Sequence, residues 1–320
     1  MKIVITGALG HIGSYLINHL SQEFKNLKLI LIDNLSTNRY FTLFNISKFG
    51  NCKFIEKDIN IDSVEEDIKD CDIVIHLAAI TDAASSFKNK LEVEKNNFNG
   101  TKKVVNLCSK YKIKLIFFSS TSVYGTQKNI VDEDTGIDTL NPQSPYAEVK
   151  LKEEEIIKEY GNLKNLEYII LRCGTIYGFS TGMRFHTAVN KFTWQAVLGK
   201  DITVWRSAFD QKRPYLDLSD AFRAIVFILK NNLFDKKIYN ILTDNLTVRD
   251  VIRVIGNFIP HLNIVEVDHE IVNQYSYEVS NNKFKSLGFE FKGSISKQIA
   301  LTISNIDVSN KYINFTSKKQ

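Results

Sequence analysis

A tyrosine and a lysine four residues apart on one helix face place an ammonium beside a phenol, lowering its pKa so that it can exchange a proton near neutral pH. The spacing occurs three times here, at Tyr124 and Lys128, Tyr146 and Lys150, and Tyr160 and Lys164. Gly125 and Gly161 directly follow the first and third tyrosines, so neither pair is expected to hold helical register. Tyr146 and Lys150 instead follow Ser144-Pro145, an N-cap residue and a first-turn proline, which predict a helix over 145–160 stopped at Gly161. Upstream, Phe117-Phe118-Ser119-Ser120-Thr121-Ser122 ends a strand-like run in hydroxyls. Such a cluster at the carboxyl end of a strand can hydrogen-bond a substrate alcohol or its ketone, or make an ordinary polar turn.

A second constellation lies at the N-terminus. The strand-like Lys2 to Thr6 runs into Gly7-Ala8-Leu9-Gly10-His11-Ile12-Gly13, and Ser14 to Phe24 then reads as a helix. Glycines here let the backbone turn tightly and approach a pyrophosphate, whose charge is stabilised by the free N–H groups and dipole of the helix start. The G-x-x-G-x-x-G spacing has one residue more than the commoner dinucleotide fingerprint. Twenty residues after Gly13, Asp33 closes the next apolar run. A carboxylate there accepts hydrogen bonds from both ribose hydroxyls of an adenosine and repels a 2′-phosphate, favouring NAD over NADP. Arg39 would serve NADP if its loop folded back. Asp58 could bind the adenine amine or cap a turn.

These residues need a scaffold that gathers strand ends on one edge. Apolar runs at Lys2 to Thr6, Lys28 to Ile32, Lys53 to Lys57, Asp72 to His76, Lys114 to Ser119 and Glu167 to Leu171 alternate with helix-length segments. That rhythm predicts βαβ units and a Rossmann-type doubly wound parallel sheet, of class α/β. Beyond Arg172 the alternation loosens into longer connections, as in a smaller C-terminal α/β lobe. The expected division is 1–172 with roughly 214–242 for the cofactor, and 173–213 with 243–320 for the substrate. Thr247 and Asp250 read as a capping box opening a helix over 248–258.

Composition removes several alternatives. With 320 residues, 44% of them apolar, the chain can bury a substantial core. The formal charge of +5 is diffuse, and the densest runs, Glu153-Glu154-Glu155 and Lys318-Lys319, read as solvated surface, so nucleic acid is not the expected partner. The four cysteines form no C-x-x-C pair and the six histidines no H-E-x-x-H, so neither a metal nor a disulfide framework is expected. No apolar run approaches the roughly 18 residues of a membrane span. The opening Met1-Lys2-Ile3-Val4 is unlike a cleavable leader, which points to a cytoplasmic enzyme.

Taken as an ordered set, these blocks resemble the extended short-chain dehydrogenase/reductase superfamily, and within it the nucleotide-sugar epimerases and dehydratases. The resemblance runs through Asp33-Asn34-Leu35-Ser36, Lys57-Asp58-Ile59, His76-Leu77-Ala78-Ala79, Asn96-Asn97-Phe98-Asn99-Gly100-Thr101, Leu171-Arg172, Arg213-Pro214-Tyr215 through Asp220, and Leu287-Gly288-Phe289. It implies that Ser120, Tyr146 and Lys150 are catalytic, with Tyr146 the acid/base and Lys150 on the nicotinamide ribose. Gly7, Gly10, His11, Ile12, Gly13, Asp33, Asn34, Asp58, Ile59, Leu77, Ala78, Ala79 and Asn97 would hold NAD with them. Arg213 would clamp a substrate diphosphate, with Ser122, Thr175 and Arg184 also facing substrate. By analogy, the helices near 97–110 and 145–160 would pair two copies into a homodimer.

Departures from the family pattern bear on the reaction. The family's 4,6-dehydratases carry Asp-Glu after the catalytic Thr, where this chain has Thr121-Ser122, so elimination lacks its acid and base. Thr175 replaces a common Asn, and the segment Gly182 to Ala188 differs from the usual substrate loop. The favoured expectation is an epimerase that oxidises a nucleotide sugar at C4 and returns the hydride from retained NADH. Alternatives are an oxidoreductase with exchangeable NAD(P) on a nucleotide sugar or other carbonyl compound, and a non-catalytic cofactor-binding scaffold.

Overall fold

The computed structural model describes residues 1–49, 51–125, 127, 130–268 and 277–306. Lys128 and the Lys318-Lys319 run lie outside them. Strands β1 (Lys2–Thr6), β2 (Lys28–Asp33), β3 (Cys52–Glu56), β4 (Ile73–His76), β5 (Lys114–Ser120) and β6 (Tyr168–Cys173) fall where the apolar runs predict them. The chain continues through β7 (Thr175–Tyr177), β8 (Ile202–Trp205), β9 (Arg213–Asp217), β10 (Ile238–Ile241), β11 (Asp244–Leu246) and β12 (Ile264–Val267).

Seven strands form one parallel sheet in the order β10-β6-β5-β4-β1-β2-β3. The chain reverses direction across the sheet between β1 and β4, and a crevice opens at the strand ends of such a switch point. The helices are α1 (His11–Glu23), α2 (Glu65–Ile68), α3 (Lys90–Tyr111), α4 (Pro145–Leu163), α5 (Ala188–Val197), α6 (Leu218–Lys230), α7 (Val248–Gly256), α8 (Asn282–Lys285) and α9 (Ile295–Asn305), with α1 and α6 on one face of the sheet and α3 and α4 on the other. Strand alternation sorts the core. Ile3 and Ile5 of β1, with Ile116 and Phe118 of β5, join Leu16, Leu20, Ala224 and Ile228 on the α1 and α6 side. Val4, Leu115 and Phe117 face Val104, Val105, Cys108 and Ile157 on the α3 and α4 side. A further cluster unites Phe192, Ile202, Val204, Val251, Ile255, Ile299 and Ile303 from the second half of the chain. No helix among the described residues is long and apolar enough to cross a membrane.

The caps place α4. Ser144 Oγ accepts from the Ala147 N–H at 3.2 Å, and Pro145 occupies the first turn. Thr247 and Asp250 form a reciprocal capping box on α7, which ends at Gly256, two residues earlier than expected. Gly161 does not stop α4, which continues to Leu163. A Cβ there would stand 2.4 Å from the Tyr168 ring, so glycine serves close packing of helix on strand, at a helix-propensity cost of about 1 kcal/mol. Tyr160 and Lys164 are consequently near one another, the ammonium 4.1 Å from the ring centroid, contrary to the register expected from Gly161. Tyr124 lies in a short 3-10 turn, its hydroxyl donating to Asn240 Oδ1.

The acidic run Glu153-Glu154-Glu155 is not a solvated face. Glu153 and Glu154 are fully buried, and only Glu155 is exposed. Glu154 receives two hydrogen bonds from Arg172 on β6, at 3.0 and 2.7 Å, and one from Ser119 Oγ at 2.5 Å. Positions 150, 153, 154, 157 and 161 share the face of α4 turned to the sheet, so its charges are buried as pairs.

Candidate active site

Two adjoining hollows open along the carboxyl ends of the strands. The first, about 470 Å³, is built on the glycine loop. Gly7 has φ +66°, and a Cβ on it would stand 2.7 Å from the Ala78 nitrogen, so the loop passes against the end of β4 at a distance only glycine permits. Asp33, at the end of β2, receives the Leu9 N–H at 3.0 Å and the Leu35 N–H at 2.9 Å, which fixes its carboxylate facing the hollow. Gly10, His11, Ile12, Gly13, Asn34, Asp58, Ile59, Leu77, Ala78 and Ala79, all expected to hold NAD, also line it. Asp58 does two things: it lines the hollow, and it caps a turn through Asn60 N–H while holding Asn34 Nδ2 at 2.9 Å. Arg39 lies beside the loop, its Nη1 3.3 Å from where a Gly10 Cβ would stand, at the place suited to a pyrophosphate.

Asn97 does not line this hollow. Its side-chain amide is engaged by both backbone groups of Ile80, accepting from the N–H at 2.8 Å and donating to the carbonyl at 2.9 Å. It braces the Ile80 segment that forms part of the wall. His11 donates Nε2–H to the Gly178 carbonyl at 2.7 Å, and its buried Nδ1 has no partner among the described residues. Burial, with Arg184 and Arg39 nearby, pushes its pKa down to about 3, so it is a neutral imidazole.

The second hollow, about 430 Å³, gathers Ser120, Ser122, Tyr146, Lys150, Thr175, Arg184 and Arg213, residues from β5, α4, β7, β9 and the segment after β7. Ser120 Oγ accepts from the Ser122 N–H at 3.2 Å and the Ser122 hydroxyl at 2.9 Å, so its own proton remains to donate to a substrate oxygen. Arg213 carries a buried Nη2 without a hydrogen-bond partner among the described residues, a donor waiting for an anion. Arg184 lines both hollows, donates Nη1 to Thr81 Oγ1 at 2.6 Å, and has a buried Nε without a hydrogen-bond partner among the described residues. Thr81, Asp82 and His186, which the sequence reading passed over, also line both hollows. Phe192 and Trp205 contribute aromatic faces in the second. No sequence spacing marks these residues, because the fold brings them in from separate connections.

The Tyr146–Lys150 pair differs from the simple expectation. Lys150 Nζ is 5.9 Å from the Tyr146 ring centroid, 4.5 Å from the Phe117 ring, and 3.0 Å from Glu153 Oε2. Burial raises the Tyr146 phenol above its ordinary pKa, with Lys150 and Arg184 pulling the other way. Burial thus works against the phenolate, and a further cation standing against the phenol would favour it. Among the described residues no group of three or more His, Cys, Asp or Glu side chains could hold a metal ion.

A seven-stranded parallel sheet with a glycine-loop hollow opening onto a Ser, Tyr and Lys hollow is the layout of the extended short-chain dehydrogenases/reductases. The chain belongs to the NAD dependent epimerase/dehydratase family, whose pattern matches residues 3–241. It is 32% identical over 257 residues to a dTDP-D-glucose 4,6-dehydratase of Dictyostelium discoideum, covering 76% of this chain and 58% of that protein, little more than half its length. It is 30% identical over 242 residues to YtcB, an uncharacterized UDP-glucose epimerase of Bacillus subtilis, covering 72% of each. The crystal structure of a UDP-glucuronic acid 4-epimerase from Bacillus cereus, in complex with UDP-glucuronic acid and NAD, superposes with a TM-score of 0.87 at 25% identity, over 95% of this chain and 98% of the other.

Proposed function

We propose that this protein is an NAD-dependent nucleotide-sugar 4-epimerase. The observation that carries the reading is the wall formed by Ser120, Thr121 and Ser122. It offers hydroxyls where elimination of water would need a carboxylic acid and its conjugate base, and among the described residues Asp82 is the one carboxylate lining the second hollow. Asp82 Oδ1 already accepts from the Ala84 and Ser85 N–H groups at 3.0 and 3.2 Å.

In this reading the diphosphate is held by Arg213, whose planar fork suits two parallel charge-assisted bonds. Arg184 supplies further positive charge at the junction of the hollows. Ser120 donates to the oxygen on sugar C4, and Tyr146 removes that hydroxyl's proton and later returns it. NAD, when bound, takes the C4 hydride and gives it back. Because the grip is on the diphosphate, the 4-keto sugar can turn over while still captured and accept hydride on its other face. Lys150 holds the nicotinamide ribose, and Asp33 the adenosine ribose. In this reading residues 1–172 with roughly 214–242 mainly serve the cofactor and the remainder mainly the sugar nucleotide, with Ser120 and Tyr146 reaching from the first part into the second hollow and Arg184 from the second part into the first.

Incubation with a panel of UDP-, dTDP-, GDP- and CDP-hexoses and hexuronic acids tests this directly. The expected product has unchanged mass and inverted C4, with no accumulation of NADH. A product lighter by one water would establish a dehydratase, and stoichiometric NADH a net oxidoreductase. Tyr146→Phe is expected to lower turnover by about 10²–10⁴ while NAD remains bound.

A further inference from the structure

The lysine of the proposed proton-transfer pair forms an ion pair with Glu153, which ends a buried hydrogen-bond chain whose donor directions can be assigned. Glu153 Oε2 meets the Lys150 ammonium at 3.0 Å, and its Oε1 accepts a short hydrogen bond from the Thr101 hydroxyl on α3. Since Thr101 donates its proton to the carboxylate, its oxygen must accept from His76 Nε2 at 3.1 Å. His76 is therefore the Nε2–H tautomer, and its Nδ1 accepts from the Thr6 hydroxyl at 2.7 Å. The Thr6 oxygen in turn accepts from the Leu77 and Ala78 N–H groups at 3.2 and 3.3 Å. His76, Thr101, Lys150 and Glu153 are all buried, and Thr6 directly precedes the first glycine of the cofactor loop.

We infer that Glu153 is a positioning residue: it pairs with Lys150 and ties the ammonium to the strand ends that carry the glycine loop, so that the cation facing the Tyr146 phenol without a paired carboxylate on α4 is Arg184, whose acidic neighbour is Asp82. The inference rests on Tyr146 and Lys150 being the proton-transfer pair. The surroundings leave few other charges to play this part. Lys150 is faced by Tyr146, Glu153 and Glu154 of α4, by His76 of β4 and by Cys173 of β6. Glu154 is bound to Arg172, His76 is neutral, and burial holds the Cys173 thiol protonated. Tyr146 is faced by Lys150, Glu153, Cys173 and, from the segment after β7, Arg184. Glu153 pushes the phenol pKa up, against Lys150 and Arg184.

The device makes the phenol respond to what binds beside it. An unpaired lysine would pull harder toward phenolate whether or not cofactor were present; pairing it with Glu153 weakens that pull, so that a cation bound beside the phenol has the larger effect. A carboxylate on a buried ammonium also keeps the lysine protonated against its desolvation cost.

The test reads the phenol rather than the reaction. Near-ultraviolet difference titration of the full chain saturated with NAD, with the Tyr146→Phe titration subtracted, isolates this phenol from the other tyrosines. In Glu153→Gln its midpoint is expected to fall by about one pH unit, as loss of a nearby like charge allows. Glu153→Asp, which retains the carboxylate one methylene further back, is expected to shift it in the same direction by less, and serves alone if the glutamine variant does not fold. An unchanged or raised midpoint in the folded variant overturns the role of Glu153. If subtraction yields no separate phenol at all, the proton-transfer pair itself falls, and this inference with it. Neither outcome depends on which sugar is the substrate or on how its reaction ends.

Discussion

Arg213 offers the sharpest residue-scale test of the proposed diphosphate grip, because its buried Nη2 has no hydrogen-bond partner among the described residues and the side chain lines the second hollow. Hydrogen bonds to charged groups contribute about 1.5–3 kcal/mol, so Arg213→Ala is expected to weaken binding of the nucleotide diphosphate by roughly 10–150-fold, measured by calorimetry, with NAD affinity unchanged. Lysine at that position should restore only part of the loss, since a point charge cannot reproduce the fork. Equal weakening of NAD in Arg213→Ala would place the residue on the wrong ligand. At this scale the sequence was informative about position where a residue's own type carries the chemistry, since Tyr146, Asp33 and the glycines all line the hollows. Asn97 lies behind the wall instead, because an amide serves as well for bracing Ile80 as for touching a ligand. Glu153 was missed because three glutamates in a row read as solvated, yet its i,i+3 relation to Lys150 on a buried face was the available signal.

At the scale of elements, α4 is fastened to β6 by the buried pair of Arg172 and Glu154, with Ser119 of β5 as a third member. Breaking such a pair from one side leaves an uncompensated buried charge and costs about 3–5 kcal/mol. Arg172→Leu should therefore lower the urea midpoint steeply, whereas Arg172→Leu with Glu154→Leu should recover much of the loss. If the double variant were as unstable as the single, the charge argument would be wrong and lost packing would explain both. A smaller effect is expected from Ser144→Ala, about 1 kcal/mol from the lost cap, with activity reduced if the first turn carrying Tyr146 frays. The strands were legible because a two-faced parallel sheet demands near-continuous apolar runs. The end of α4 was not, because tertiary contact between Gly161 and Tyr168 overrode local propensity.

For the molecule as a whole, His11 and His76 couple stability to acidity. Unfolded, each imidazole takes up a proton near 6.5; folded, burial keeps both neutral down to about 3. The unfolded chain then binds more protons throughout that window, so stability is full above 6.5 and declines as the pH falls through it. Urea midpoints should drop progressively between neutral pH and about 4.5, with a shallower slope in a His76→Gln variant. An equal slope in that variant would remove His76 from the account. A different consequence attaches to Arg184, which belongs to both hollows. Two ligands that share one guanidinium are thermodynamically linked, and linkage is symmetric. Whatever factor UDP imposes on the dissociation constant of NAD, NAD must impose on that of UDP, and Arg184→Met should bring that factor toward unity for both ligands. Cofactor retention would then be a property of the ternary complex, set as much by the sugar nucleotide as by the glycine loop.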